Sequence, residues 1–140
     1  SRCTVNTDTV GYYGNPNAYT LTTLPASDGQ VPVIRVDTSL ANAYKAQISY
    51  PTSFSSSPSL GDSVTWTGTV AYASGSVSGM SAYQAASTTA DGGAMRIYNL
   101  TLAGTTWFNV TSVATYGGGS NKAFPGGSYS AVVVAECIAQ

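Results

Sequence analysis

The fold is decided by the sequence YSAVVVAEC, residues 129–137, near the end of the 140-residue chain. Successive side chains of a β-strand point to opposite faces, so odd-numbered residues share one face here and even-numbered residues share the other. Both faces are largely apolar, which predicts a central strand of a sheet. A central strand needs a neighbour on each edge. We expect that no later strand supplies one, because only Ile138, Ala139 and Gln140 follow.

Alternation of apolar and polar residues recurs along the chain, and no window keeps the apolar spacing of a helix. In residues 62–73, Val64, Trp66 and Val70 share one side, and Gly68 within that set predicts a bulge. Turns rich in Gly, Pro, Asn and Asp separate the strands, as at residues 14–16 and 117–119. Further strands are predicted at residues 4–10, 19–24, 31–37, 44–50, 95–102, 106–116 and 128–138, with a loop over residues 74–90 that carries one edge strand near residues 80–83.

Seven or eight short strands separated by such turns are typical of an all-β, immunoglobulin-like β-sandwich. A closed barrel is the alternative architecture. A chain of 140 residues is the usual size of one domain and can bury a core without metals, so we expect a single domain over residues 1–140.

The composition indicates a secreted protein with a polar, nearly uncharged surface. Only 8% of the residues are charged, against about 25% in an ordinary soluble domain. The net charge is −1 and the basic residues do not cluster, which argues against binding to nucleic acid or to an anionic membrane. No apolar run approaches the roughly 20 residues that cross a bilayer. The chain opens at Ser1 without a methionine, as expected of a mature protein after processing.

Two cysteines, Cys3 and Cys137, lie near the two ends of the chain. We expect a disulfide between them, which in the chain-entropy model stabilises the fold by roughly 5 kcal/mol. Such bonds persist in oxidising compartments. The alternatives are two buried thiols, or a disulfide between two chains.

Catalytic equipment is missing from the sequence. The chain has no histidine, which removes the commonest general base and the commonest metal ligand. No two carboxylates form a close pair in sequence, and the glycines at residues 117–119 lack the lysine and helix of a phosphate loop. We therefore expect a protein that is not an enzyme and that has no cofactor, metal or catalytic residue.

Several tyrosines lie beside turn residues, where exposed rings are expected. Tyrosine rings with nearby amides form carbohydrate-binding surfaces, because a sugar stacks on the ring and bonds to the amide. The alternative is that these rings pack over the ends of the sheets, and Trp66 and Trp107 are assigned to the core or its margin. The candidate ligand-binding residues are Tyr12, Tyr13, Asn15, Tyr83 and Tyr116.

Residues 124–134, FPGGSYSAVVV, resemble the terminal strand of chaperone–usher fimbrial subunits, whose pattern is P-x-G-x-Y-x-x-x-V. The branch that contains spore coat U and the archaic pili is the most similar. Two further segments match that branch loosely. One is residues 3–5, which open the first strand, and the other is the sequence IYNL at residues 97–100 followed by Trp107.

The resemblance implies a sandwich that lacks its final strand and leaves a hydrophobic groove beside the strand at residues 128–138. In that family a periplasmic chaperone first fills the groove, and the N-terminal extension of a neighbouring subunit then replaces it by strand addition. The implied protein is a structural or tip subunit of an extracellular adhesive fimbria that passes through the periplasm. Its partners would be neighbouring subunits and the chaperone, with a host glycan or an abiotic surface as the adhesion target. The expected groove residues are Val64, Trp66, Val70, Tyr129, Ala131, Val133 and Ala135.

One feature departs from the family pattern, because only Ser1 and Arg2 precede Cys3, where a stalk subunit carries a donor extension. Three explanations stay open. The extension has been removed, the subunit lies at the tip, or the first strand is itself the donor. In the last case Cys3 would pair with Cys137 of a neighbour. A complete carbohydrate-binding sandwich is the alternative function.

Overall fold

A computed structural model describes residues 2–72, 86–89 and 93–140 of the chain. Its regular elements in these ranges are ten β-strands and one short 3₁₀ turn, Pro25–Ser27. The strands are β1 (Cys3–Thr9), β2 (Gly14–Asn17), β3 (Thr20–Thr22), β4 (Val33–Thr38), β5 (Tyr44–Ser49), β6 (Val64–Tyr72), β7 (Ala86–Thr89), β8 (Met95–Leu100), β9 (Gly104–Tyr116) and β10 (Val134–Ala139).

The first sheet is organised around β9, which pairs with other strands on both of its edges. β6 lies along one edge. On the other edge, β4 pairs with the first half of β9 and β3 pairs with the second half. β1 continues the sheet beyond β4, and β2 continues it beyond β3. All of these pairs are antiparallel. Because β4 and β6 pair with opposite edges of β9, β1 and β6 lie on opposite sides of this central strand.

The second sheet has the strand order β10-β5-β8-β7, and its pairs are also antiparallel. The two sheets pack face to face and bury one apolar cluster between them. Tyr98 of the second sheet donates its hydroxyl hydrogen to the backbone oxygen of Val70 in the first sheet, at 2.9 Å. The buried cluster consists of Ile34, Val36, Ala46, Ile48, Val70, Tyr98, Leu100, Phe108 and Val110. The all-β sandwich predicted from the sequence is confirmed.

The prediction that residues 128–138 form a central strand is wrong. Only Val134–Ala139 forms a strand, and in the described residues it pairs with β5 alone, so it is an edge strand. The inward face is as expected, because Ala135 and Cys137 pack against the core. The other apolar face is open to solvent, since Val132 is 57% exposed and Val134 is 59% exposed.

Two other expectations differ from the structure. Residues 14–16 belong to β2 instead of a turn, and Pro16 is tolerated there because β2 is an edge strand that pairs only with β3 among the described strands. β7 falls inside the predicted loop, whereas the edge strand predicted near residues 80–83 lies outside the described residues.

Gly68 does not mark a bulge, because β6 pairs with β9 without a register shift from Val64 to Tyr72. The absence of a side chain serves close packing instead. A Cβ atom at this position would lie 2.3 Å from the backbone oxygen of Thr111 and 2.7 Å from the ring of Tyr50. The glycine therefore lets the Tyr50 ring lie against the strand.

We expect the substitution Gly68→Ala to lower the free energy of unfolding by about 1–3 kcal/mol, because the new methyl group forces strand and ring apart. Urea denaturation of the purified protein measures the change. Gly61→Ala is the matched control, since a Cβ atom there has no neighbour within 4 Å. It should change the stability by no more than about 0.5 kcal/mol. Equal effects of the two substitutions would contradict this account of Gly68.

Candidate functional site

A cavity of about 960 Å³ opens at the edge of the sandwich where β1 and β10 face each other. We call it the edge groove. Thr7, Val10 and Gly11 line it on the side of β1, and Tyr129, Ala131 and Val133 line it on the side of the chain that leads into β10. Two core residues, Leu21 and Ile34, also reach it.

The backbone on the β10 side of the groove has hydrogen-bonding groups that point into the groove. In an antiparallel pair, peptide groups of alternate residues point to the same edge. The N–H of Gln140 donates to Ala43 O at 2.9 Å, and the N–H of Ser130 donates to Ser56 O at 2.8 Å. Even-numbered residues therefore bond toward β5 and the chain that follows it. The peptide groups of Ala131 and Val133 point the opposite way, toward the groove.

The β1 side has the same character. The N–H of Ser39 donates to Arg2 O at 2.9 Å, so the even-numbered residues of this strand bond toward β4 as far as Asn6, before the register shifts between Thr7 and Thr9. The peptide groups of Val5 and Thr7 consequently point away from β4 and toward β10. Of these peptide groups, those that border the groove belong to Thr7 on one side and to Ala131 and Val133 on the other, and exposed backbone donors and acceptors of this kind can pair with an additional strand.

A disulfide between Cys3 and Cys137 closes one end of the groove. It lies within the chain and joins β1 to β10, with 6.2 Å between the two Cα atoms. The favoured pairing from the sequence is confirmed, and the alternatives of free thiols or of a bond between chains do not describe this structure. In the described residues no other cysteine is present, so no thiol is free.

A cluster of aromatic rings holds the chain at the other end of the groove. Phe124 stacks on Tyr116 with 5.1 Å between the ring centroids. Phe54 makes edge contacts with Trp66 at 4.7 Å and with Tyr129 at 5.2 Å. The hydroxyl of Tyr129 donates to a backbone oxygen four residues earlier in the chain. The extended run that starts at Tyr129 is therefore fixed at its beginning by ring packing.

The predicted groove residues divide into two sets. Tyr129, Ala131 and Val133 line the edge groove, whereas Val64, Trp66, Val70 and Ala135 do not. The three residues of β6 are remote because β6 and β1 lie on opposite edges of the first sheet. Val70 belongs to the core, Trp66 to the aromatic cluster, and Ala135 packs against the core beside the disulfide.

Three of the predicted ligand-binding residues, Tyr12, Tyr13 and Asn15, line the same groove. Tyr12 is 55% exposed. The hydroxyl of Tyr13 lies 3.0 Å from Oγ of Ser112, and burial of the ring raises the pKa of Tyr13. The predicted strand-binding groove and the predicted ligand-binding tyrosines, which were expected as separate sites, therefore share one surface.

Tyr116 is not an exposed ring, and the alternative, packing among other rings, describes it. It is 6% exposed, because it stacks on Phe124 and its hydroxyl accepts a hydrogen bond from the N–H of Gly61 at 2.9 Å. Tyr83 lies outside the described residues. Trp107, assigned to the core or its margin, is 5% exposed and donates its Nε1 hydrogen to Asp8 at 3.0 Å.

The β1 side of the groove was missed by the sequence analysis. The cysteine pair could have indicated this side of the groove. A disulfide between the first and last strands brings these two strands together at one edge of the sandwich. Thr7, Val10 and Gly11 would then have been expected opposite Ala131 and Val133.

The groove is electrically neutral, since no charged side chain is among the described residues that line it. The nearby charges pair with one another elsewhere. Arg35 bonds to Asp8 at 3.2 Å and to Asp37 at 3.1 Å, and Lys122 bonds to Asp62 at 2.6 Å. In the same part of the chain, no group of three residues is arranged to hold a metal ion. Nor does any helix there have the length and apolar character to cross a membrane.

Comparison with known proteins returned no relative: no protein-family model, no curated protein and no solved structure matches the chain. The resemblance to chaperone–usher subunits therefore stays a prediction that rests on residues 124–134 and the two shorter segments.

Because of the raised pKa of Tyr13, we expect the stability of the folded protein to decrease at alkaline pH. Tyr13 has a pKa in the folded protein above the ordinary value of 10.0, so its share of the stability is complete below pH 10 and is lost as the pH rises through the folded pKa. We expect Tyr13→Phe to lose less stability than the native protein between about pH 8 and about pH 11. Urea unfolding at both pH values measures the difference. Parallel losses in the two proteins would show that Tyr13 does not titrate in this way.

Proposed function

We propose that this protein is a structural or tip subunit of an extracellular adhesive fimbria, and that an extended strand from a neighbouring subunit fills the edge groove. The observation that supports this most strongly is the pair of facing edges. Peptide groups of Thr7 on one side and of Ala131 and Val133 on the other point into one neutral cavity. A single inserted strand would bond to Thr7 on one side and to Ala131 and Val133 on the other.

The chemistry of the groove suits an extended peptide better than other ligands. An unpaired sheet edge tends to pair with another strand, and strand addition uses backbone hydrogen bonds for affinity and alternate side chains for specificity. Ala131 and Val133 are half-buried, Thr7 is exposed, and the buried residues Leu21 and Ile34 lie among the residues that line the groove. Apolar residues at every second position of the incoming strand would therefore reach Leu21 and Ile34.

The location that we propose follows from the disulfide and the composition. Disulfides persist in oxidising compartments, which include the periplasm and the cell exterior. A surface with few charges and many hydroxyl groups tolerates close packing against other subunits. In this proposal a periplasmic chaperone protects the groove before assembly, as the resemblance implies, and the protein acts by binding and assembly, not catalysis.

Addition of a synthetic peptide with alternating apolar residues should raise the melting temperature of the purified, non-reduced protein. The peptide supplies the missing hydrogen bonds and covers apolar surface, and ligands that bind only the folded state stabilise it. Thermal unfolding followed by circular dichroism measures the shift. No shift with any alternating peptide, from a protein that already melts at high temperature, would mean that the sandwich is complete.

Two tryptophan substitutions make the same experiment specific to the groove. Ala131→Trp places a large ring in the groove and should abolish the shift. Val134→Trp, three residues away, is the matched control because Val134 is exposed and does not line the groove. A shift that survives Ala131→Trp would place the peptide elsewhere.

A second candidate function, carbohydrate binding, is favoured by the tyrosines at the mouth of the groove. Tyr12 is largely exposed, and Tyr13, Asn15 and Asn17 line the same surface. Rings and amides without nearby charge are suited to an uncharged sugar, which stacks on the ring and bonds to the amide.

If this second function is present, Tyr12→Ala should weaken binding to a responsive polysaccharide by about tenfold, the equivalent of one stacked ring. Tyr12→Phe retains the ring and should bind like the native protein. Pull-down with insoluble polysaccharides, followed by glycan arrays, measures both variants. Binding that is the same in Tyr12→Ala would exclude the tyrosine surface as the sugar site.

A further inference from the structure

We infer that the disulfide between Cys3 and Cys137 is a stop that fixes the length and register of the strand in the edge groove. The inference rests on the proposed function, because it concerns a strand that enters between β1 and β10. It concerns how far such a strand can advance and which of its residues meets which part of the groove.

The spacing of β-strands shows why nothing passes the disulfide. Neighbouring strands lie about 4.8 Å apart, so two strands with a third between them are separated by about 9.6 Å. The Cα atoms of Cys3 and Cys137 are 6.2 Å apart. Cysteines joined by a disulfide rarely exceed about 6.8 Å between Cα atoms, so the bond itself holds the two edges too close for insertion.

The groove lies some distance from this point along both stretches of chain. β1 runs away from the disulfide and β10 runs toward it. Thr7 and Val133 are the wall residues nearest to the bond, and each is about four residues, or roughly 13 Å along an extended strand, from its cysteine. Val5 and Ala135, which lie in between, pack against the core and do not line the groove. The groove is therefore closed at the disulfide and open at the end that Tyr129 and Tyr12 border.

The lengths of the two walls set the length of the insert. One wall runs over residues 129–133, before which residues 124–127 also line the groove, and the other consists of Thr7 and residues 10–13. These walls match an insert of about five to seven residues, or roughly 16–23 Å. Because β1 and β10 run in opposite directions, the insert is parallel to one wall and antiparallel to the other. The first inward-facing side chain of the insert meets Thr7 and Val133. The size of the side chain at this position of the insert should therefore affect binding most strongly.

A series of labelled peptides of alternating apolar and hydroxyl residues, from about three to about eleven residues long, tests the length limit. Fluorescence anisotropy with the native, non-reduced protein gives the dissociation constants. Affinity should increase with length up to about seven residues and then stay level. A steady increase through eleven residues would overturn the inference, while leaving strand insertion intact. Failure of every peptide to bind would instead contradict the proposed function.

A bulky end group tests the one-sided closure. Two tryptophans are added to one end or the other of the seven-residue peptide. We expect one of the two peptides to lose at least about tenfold in affinity, because its added rings meet the disulfide, and the other to bind as before. Equal tolerance at both ends, or equal loss at both, would show that the groove has no stop.

The double substitution Cys3→Ser, Cys137→Ser removes the proposed stop. In this variant the eleven-residue peptide should bind more tightly than the seven-residue peptide, and the difference between the two tryptophan-tagged peptides should disappear. Circular dichroism establishes that the variant is folded before binding is measured. If it does not fold, the end-group comparison in the native protein decides the question by itself.

Discussion

The thirteen residues of β9 hold the larger sheet together, because this strand bonds to β6 on one edge and to β4 and β3 on the other. Its inward side chains Phe108 and Val110 are fully buried and form the centre of the core. Strands that pair on both edges have no unsatisfied peptide groups and need no partner. The same requirement acts on every other strand of the fold, and among the described strands β1 and β10 are two of those that pair on one edge only.

At the edge where β1 faces β10, a covalent bond and aromatic packing act at opposite ends of the groove. The disulfide holds the strands together at Cys3 and Cys137, and the aromatic cluster around Phe124 fixes the chain at Tyr129. Between these two fixed points lies a cavity whose described lining residues carry no charge. In the proposed function, fixing the chain at both ends of the groove reduces the reorganisation that binding of a strand would require.

Much of this fold could be predicted from the sequence, because alternation at every second residue reports which face of a strand is buried. The inward faces of β6 and of β10 followed from that rule. Alternation does not report which strands are neighbours, and this is why Val64 and Trp66 were placed in a groove that lies beyond β9. Alternation also does not show whether an apolar face is covered by other residues. Val132 and Val134 were expected to be covered, as in a central strand, but they are exposed. Tyr116 was misjudged for a related reason, since only tertiary contact brings Phe124 onto its ring.

The position of the disulfide also determines how the protein carries mechanical load. The two cysteines are separated by 134 positions, so nearly all of the sandwich lies inside the covalent loop. Tension applied to the chain outside this loop passes directly from Cys3 to Cys137 through the sulfur–sulfur bond. Apart from the pairing of residues 138–140 with β5 and the residue before it, the hydrogen bonds of the sheets are bypassed, so this tension does not unravel the strands inside the loop.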